Sequence, residues 1–293
     1  MIKIRLFTPW CTSEQYLKDF DKIHKIITNS KYGKSFILTS ADDYTHAIII
    51  NTAMPQLTIP QKNVIGFAHE PLYFLGLSPS FIEYAKKHIS KYYIGEKLNL
   101  PLPFIEHHVY LSMIPRIDYI PEKKNLMSIM VSHKNTAPGH KYRHKLVQAI
   151  LKTNLPIDIW GNGTTFYNNL GDSRVKTNFT WDTIGIMYES YKFHVAIENF
   201  TTPHYMSEKI LNCFIYSTIP IYWGCVNIKQ YIDDENLVLL STDDNIEKRI
   251  ESDIKLLTEI IKNPNKYYNP ININSTKLDK LLNVFDFIEE QFK

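Results

Sequence analysis

Apolar residues along the chain fall into short runs of strand length, separated by stretches of helical period. The pattern predicts strands over residues 3–7, 47–50, 63–68 and 91–94, with helices over 13–28 and 81–88 between them. In the first helix Tyr16, Leu17, Phe20, Ile23 and Ile27 are spaced to share one face. The stretches Leu100-Pro101-Leu102-Pro103 and Ile120-Pro121-Glu122-Lys123-Lys124-Asn125 then interrupt the alternation. It restarts with strands over 126–131, 156–160, 193–197, 219–223 and 237–240, and helices over 141–152, 183–190 and 207–216. Two amphipathic helices, 245–262 and 276–291, complete it. Short apolar strands alternating with helices imply parallel sheets covered on both faces. The expected architecture is therefore α/β, with two Rossmann-like domains over residues 1–123 and 124–293, facing a cleft. Ligands in such sheets bind outside the carboxyl ends of the strands.

Composition narrows the function classes. The chain has 293 residues, enough for two domains. Its 33 basic and 30 acidic side chains nearly cancel, which argues against a dedicated nucleic-acid binder. Only five of the basic residues are Arg, so a single Arg carries more information than a single Lys. Cys11, Cys213 and Cys225 are too few and scattered for a disulfide framework or zinc knuckle. No apolar run approaches the roughly 20 residues of a spanning helix, and the first residues alternate polar and apolar rather than forming a signal core. A soluble, cytoplasmic protein without a membrane segment is expected. Asn-x-Ser/Thr triplets at Asn162, Asn178, Asn199 and Asn274 are expected by chance in so Asn-rich a chain.

Residues 191–226 carry the most chemistry. A strand ends at Glu198-Asn199, a polar loop leads to Ser207 as a candidate N-cap, and Glu208 and Lys209 fill the first turn of a helix. A Lys in that turn opposes the helix dipole, so an anion there would explain it. An ordinary solvated Glu–Lys pair explains it equally.

The segment resembles the donor-binding signature of the α-1,3/1,4-fucosyltransferase family. The matching residues are Tyr191-Lys192-Phe193, Glu198-Asn199, Tyr205, Glu208-Lys209 and Thr218-Ile219-Pro220-Ile221-Tyr222-Trp223-Gly224. Upstream, Ser132-His133-Lys134-Asn135 followed by Arg143 resembles the family's strand-then-Arg segment, and Glu70 in Gly66-Phe67-Ala68-His69-Glu70-Pro71 resembles its acidic residue. In most members a Ser separates that Glu from the Pro; here Glu70 abuts Pro71.

The resemblance implies a GT-B fold with the acceptor side first, and inverting transfer of L-fucose from GDP-fucose to a glycan hydroxyl. It makes Glu70 the base, with His69 as the alternative. Arg143 and Lys209 become fixed cations for the diphosphate, and Glu208 becomes a residue near the fucose or ribose that can stabilise developing positive charge. Asn199 and Tyr205 become donor contacts. With cations in these places no obligatory metal or other cofactor is expected; the partners are a nucleotide sugar and a glycan acceptor. Acceptor contacts are expected from loops around residues 70–80 and 100–118. Tyr222 and Trp223 fit either donor contact or packing. A same-fold transferase using another nucleotide sugar, or a silent binding relative, remain alternatives, although a silent relative has no reason to keep Glu70, Arg143, Glu208 and Lys209 together.

Other motifs are weaker. Asp19-Phe20-Asp21 has an Asp-x-Asp pattern but lies in a helix with Phe20 inward. Gly161-Asn162-Gly163 lacks the third glycine of a dinucleotide fingerprint. His107-His108 lacks a third metal ligand and is expected in a solvated loop.

Overall fold

A computed structural model describes residues 1–30, 35–110, 114–180, 183–269 and 276–293. Asn274, residues 111–113 of the expected acceptor loop and the side chain of Ile27 lie outside the described set.

The chain divides into two compact units. The first comprises Met1–Arg116, Thr202–Ser207 and Lys280–Lys293, and the second Ile117–Thr201 and Glu208–Asp279. The division thus differs from a single boundary at 123. Residues 117–123 join the second unit, because the Lys123 ammonium is held there by the carbonyls of Tyr188, Glu189 and Tyr216 and the Thr218 hydroxyl. Two later segments return to the first unit.

The first unit runs β1 (Ile2–Phe7), α1 (Ser13–Ser30), β2 (Phe36–Thr39), β3 (His46–Ile50), β4 (Val64–Phe67), α2 (Leu72–Leu75), α3 (Pro79–His88), β5 (Lys91–Ile94) and β6 (Phe104–Glu106). Its six strands form a parallel sheet in the order β2-β1-β3-β4-β5-β6. Alternate residues of β3 feed opposite cores. Ile48 and Ile50 pack with Ile4, Leu6, Phe20 and Phe67, whereas Ala47 and Ile49 pack with Val64, Phe81, Tyr92 and Phe104. Burial of both faces explains the unbroken apolar run.

The second unit runs β7 (Asn125–Met130), α4 (Pro138–Leu151), β8 (Ile157–Trp160), α5 (Ile186–Glu189), β9 (Tyr191–Ile197), α6 (Glu208–Ile215), β10 (Ile219–Trp223), β11 (Val238–Leu239), α7 (Ile246–Lys262) and α8 (Pro264–Tyr267). Its sheet is parallel in the order β11-β10-β9-β7-β8. Several predicted bounds change: the helix expected over 183–190 shortens to α5, β9 starts at Tyr191 and α3 starts at Pro79. Helix α4 starts at Pro138 rather than 141, since proline at the first helical position loses no hydrogen bond. The tail helix expected over 276–291 is two helices, α9 (Thr276–Leu282) and α10 (Val284–Phe292), divided at Asn283. The Asn283 side chain accepts from the Asp286 amide at 3.2 Å and so caps α10.

Helix α10 completes the first core. Phe285 lies 5.7 Å from the Phe20 ring and 6.1 Å from Phe36, and Ile288 joins the same cluster. Phe285→Ala should cost about 3–5 kcal/mol, the usual loss for a buried aromatic. Hydrogen exchange is expected to accelerate across β1–β3 while β7–β10 keep their protection; equal loss in both sheets would show that the C-terminal helix does not belong to the first unit alone.

Candidate active site

Connectivity locates the site in the second unit. From β7 the chain passes to the edge strand β8 on one side, then crosses to β9 on the other. The loops leaving the carboxyl ends of β7 and β9 therefore diverge, and such a switch point is where open α/β sheets bind ligands. The β7 loop leads into α4 and the β9 loop begins at Glu198-Asn199.

Helix α4 meets the end of β9 closely. The Gly139 amide donates to the Asn199 carbonyl at 2.9 Å, and a Cβ on Gly139 would overlap the Glu198 carbonyl. Arg143, four residues on and 4% exposed, aims its guanidinium at the same place, donating to Asn199 Oδ1 at 2.6 Å and to the Gly139 carbonyl at 3.3 Å. From β10, Gly224 has space for no side chain, because a Cβ there would overlap Glu198 Cγ. Glu198 is completely buried, and its carboxylate stands 3.7 Å from the Lys209 ammonium. Lys209, 9% exposed in the first turn of α6, also pairs with Glu208 at 2.8 Å. The solvated Glu–Lys pair is thus excluded; the ammonium is buried between two carboxylates.

His140 registers the local field. It is 2% exposed, and its Nδ1 accepts from the Ala137 amide at 3.2 Å, capping α4. Burial, followed by the positive charges of Arg143, Lys134 and Lys209, pushes its pKa down to about 4. The positive charges of three residues thus act on one ring at the start of a helix, a setting that favours an anionic ligand. Lys134, whose charge acts on His140, has no role in the sequence reading, although it stands within the segment quoted for the resemblance. Glu198, too, had no role assigned.

Packing explains other residues. The Tyr222 hydroxyl accepts from the Cys225 amide at 2.9 Å, and Trp223 packs edge-on to Tyr142 at 5.2 Å. Arg249 of α7 lies over both the Tyr142 and Trp223 rings, and Tyr142 donates to the buried Asp253. The packing alternative therefore holds for Tyr222 and Trp223. Gly161 and Gly163 bring the β8 loop against the carbonyls of Val131 and Ser132, where a Cβ would overlap. Asp19 and Asp21 are exposed on α1 with Phe20 buried between them. Among the described residues no cluster of three or more His, Cys, Asp or Glu could hold a metal ion, and no helix is long and apolar enough to cross a membrane.

Tyr205 and Glu70 belong to the first unit. Tyr205 is buried, with its segment packed on Gly95. Glu70 is half-buried beyond the carboxyl end of β4. Its loop is anchored by Asn51, whose left-handed backbone (φ 50°) turns the chain after β3 and whose Oδ1 accepts from the His69 amide at 2.8 Å. Burial pushes the His69 ring down to about 4, so it stands neutral beside Glu70. Contrary to the expected solvated loop, His108 is buried and stacked on His107 at 4.6 Å, with Phe287 4.7 Å beyond.

The sequence profile of glycosyltransferase family 10 (fucosyltransferase), C-terminal region, matches residues 120–269, half of the chain and nearly all of the second unit. The chain belongs to glycosyltransferase family 10. A protein of Acanthamoeba polyphaga mimivirus that carries the name fucosyltransferase is 32% identical over 128 residues, 40% of this chain and 21% of that protein. The chain thus spans about a fifth of that curated relative's length. A crystal structure of an α1,3-fucosyltransferase aligns over 99% of this chain and 88% of its own with a TM-score of 0.58 at 15% identity. A crystal structure of α1,3-fucosyltransferase with GDP-fucose aligns over 99% and 90% with a TM-score of 0.56 at 16% identity. At such identities the likeness speaks for the fold, which is GT-B. In this family 10 member the profile takes in Lys134, Arg143, Glu198, Asn199, Glu208 and Lys209 together.

The buried rings make the fold acid-sensitive. His140 stays neutral down to about pH 4 when folded but titrates near 6.5 when unfolded. Unfolding then takes up a proton below pH 6.5, so stability is complete above that value and falls towards pH 4. His140→Asn keeps an acceptor for the Ala137 amide without titrating. In denaturant unfolding between pH 6 and 4.5, its stability should fall less steeply than the wild type's, by up to about 1.4 kcal/mol per pH unit. Identical slopes would place the His140 proton elsewhere.

Proposed function

We propose that the chain is an inverting glycosyltransferase that moves L-fucose from GDP-fucose to a hydroxyl of a glycan acceptor. The observation that carries this reading is the convergence of Arg143, Lys134 and Lys209 on His140, at the second unit's switch point and inside the region matched by the family profile. A nucleoside diphosphate carries the charge such a cluster lacks. Arg143 offers a fork of donors to phosphate oxygens, and Lys209 a point charge. Both neutralise the departing diphosphate, so no divalent cation is required. Glu208 lies beside Lys209 and faces the developing positive charge of the sugar. Asn199 holds Arg143 in place, and Tyr205 contributes to the donor contacts.

In the reaction the acceptor oxygen attacks the anomeric carbon, the bond to the β-phosphate oxygen breaks, and GDP departs. The acceptor proton passes to Glu70. A neutral His69 suits this role for its neighbour, because a cation there would depress the carboxylate's basicity. With its pKa near 4, His69 is itself a poor base at neutral pH.

Arg143→Ala and Lys209→Ala should each weaken GDP binding about 10- to 100-fold, the loss of a charge-assisted hydrogen bond. Calorimetric titration in EDTA measures it, and wild-type turnover is expected to persist in the same buffer. Unchanged GDP affinity in both variants would move the donor site; loss of wild-type turnover in EDTA, restored by Mn²⁺, would overturn the metal-free reading.

Glu70→Gln retains size and hydrogen bonding but accepts no proton. Turnover should fall about 10²- to 10⁴-fold with GDP affinity intact. Near-normal transfer by Glu70→Gln, together with an inactive His69→Ala, would assign the base to His69.

A further inference from the structure

The first sheet has a switch point of its own. From β1 the chain passes to β2 on one side and returns to β3 on the other, so the loops after β1 and β3 diverge at the carboxyl edge. The β1 loop is short, running from Thr8 to Thr12 before α1. It is braced at both ends: the Trp10 amide donates to Thr8 Oγ1 at 3.4 Å and the Gln15 amide to Thr12 Oγ1 at 3.2 Å. Trp10 is nevertheless 54% exposed. Its ring stands 6.5 Å from that of His69, the residue before Glu70. His69 is 6% exposed and held neutral, and its Nδ1 has no hydrogen-bond partner.

Other exposed apolar side chains follow the carboxyl ends of neighbouring strands: Met54 after β3 and Tyr73 after β4. Isolated exposed apolar residues need no explanation, but an exposed indole at a switch point, near the ring of the residue before Glu70, is a recognisable ligand feature. The face of an aromatic ring is electron-rich. The C–H bonds of one face of a pyranose are weakly positive and lie flat against such a ring, leaving the hydroxyls at the sugar's rim free to reach a base.

We propose that the Trp10 indole is the stacking face for a neutral pyranose ring of the acceptor. This deepens the transferase reading and rests on it for the role of Glu70. The ring lies on Trp10 and the hydroxyl at its rim is offered to Glu70. A buried, uncharged His69 supports the indole without attracting an anionic acceptor.

Saturation-transfer NMR tests binding without requiring turnover. The probes are methyl β-galactoside, methyl β-glucoside, lactose and N-acetyllactosamine, each with GDP present, against wild type, Trp10→Ala and Trp10→Phe. At least one probe should bind the wild type through its ring protons. Trp10→Ala should weaken that probe by on the order of 10-fold, Trp10→Phe by less, and GDP affinity should be unchanged. Equal binding by Trp10→Ala, or no probe binding the wild type, overturns the proposal. So does an affinity that follows alkyl length when dodecyl replaces methyl, since that marks an apolar-chain surface. The two readings fail separately. Sugar stacking on Trp10 without any transfer from GDP-fucose removes the transferase and keeps the stacking face; undiminished transfer and acceptor KM in Trp10→Ala remove the stacking face and keep the transferase.

Discussion

The charged site of the second unit depends on how closely α4 meets the end of β9. Gly139 sets that distance: its amide bonds to the Asn199 carbonyl, and the space a Cβ would take belongs to Glu198. Gly224 presses on the same glutamate from β10. Between these two glycines Glu198 is fully buried and has Lys209 3.7 Å away as its cation. Arg143 reaches Asn199 only because α4 begins at Pro138 and turns immediately against β9. A side chain at Gly139 would push α4 off the end of β9, where two backbones have no rotamer to yield, and one at Gly224 would displace the buried Glu198 side chain and the Tyr222 hydroxyl.

Central elements were legible in the sequence and edge elements were not. Strand β5 and strand β10 have the bounds their apolar runs predict, and α7 begins where Asn245 caps it. The two strands of the first sheet with no predicted counterpart, β2 and β6, are its outermost. An edge strand buries less of itself: Ile37 of β2 remains 38% exposed, and β6 follows directly on Pro101 and Pro103. Neither produces the continuous apolar run that marked β3. The break in the tail helix was hidden for the opposite reason. Leu282 and Phe285 are both buried on either side of Asn283, so the apolar period passes through the cap unchanged.

The candidate residues divide in a similar way. Arg143, Asn199, Glu208 and Lys209 were legible because the resemblance fixes them in register and the fold gathers them. Lys134 was not, because in a chain with 28 Lys one more on a loop has no pattern to distinguish it. Asn51 was equally hidden. Its function is a backbone turn at positive φ and an amide acceptor for His69, and nothing local in Asn51-Thr52-Ala53 indicates that a loop after β4 will need it.

The carboxyl edges of the two sheets solve different physical problems. In the second unit, cations are partly withdrawn from water and balanced against Glu198 and Glu208, an arrangement with a high desolvation cost unless charges are paired. Lys209 also sits where the α6 dipole is unfavourable to a cation. Such strain is tolerable if the resting pairs can be exchanged for a multiply charged ligand. The first unit holds its edge differently: His69 and His108 are buried until neutral, and the exposed Trp10 indole stands 6.5 Å from the His69 ring. An exposed indole face suits an uncharged ring better than a polyanion. On the proposed reading, a reaction that expels an anionic leaving group and joins its sugar to a neutral hydroxyl calls for two environments: cations for the group that departs, and a carboxylate beside a neutral His69 for the hydroxyl.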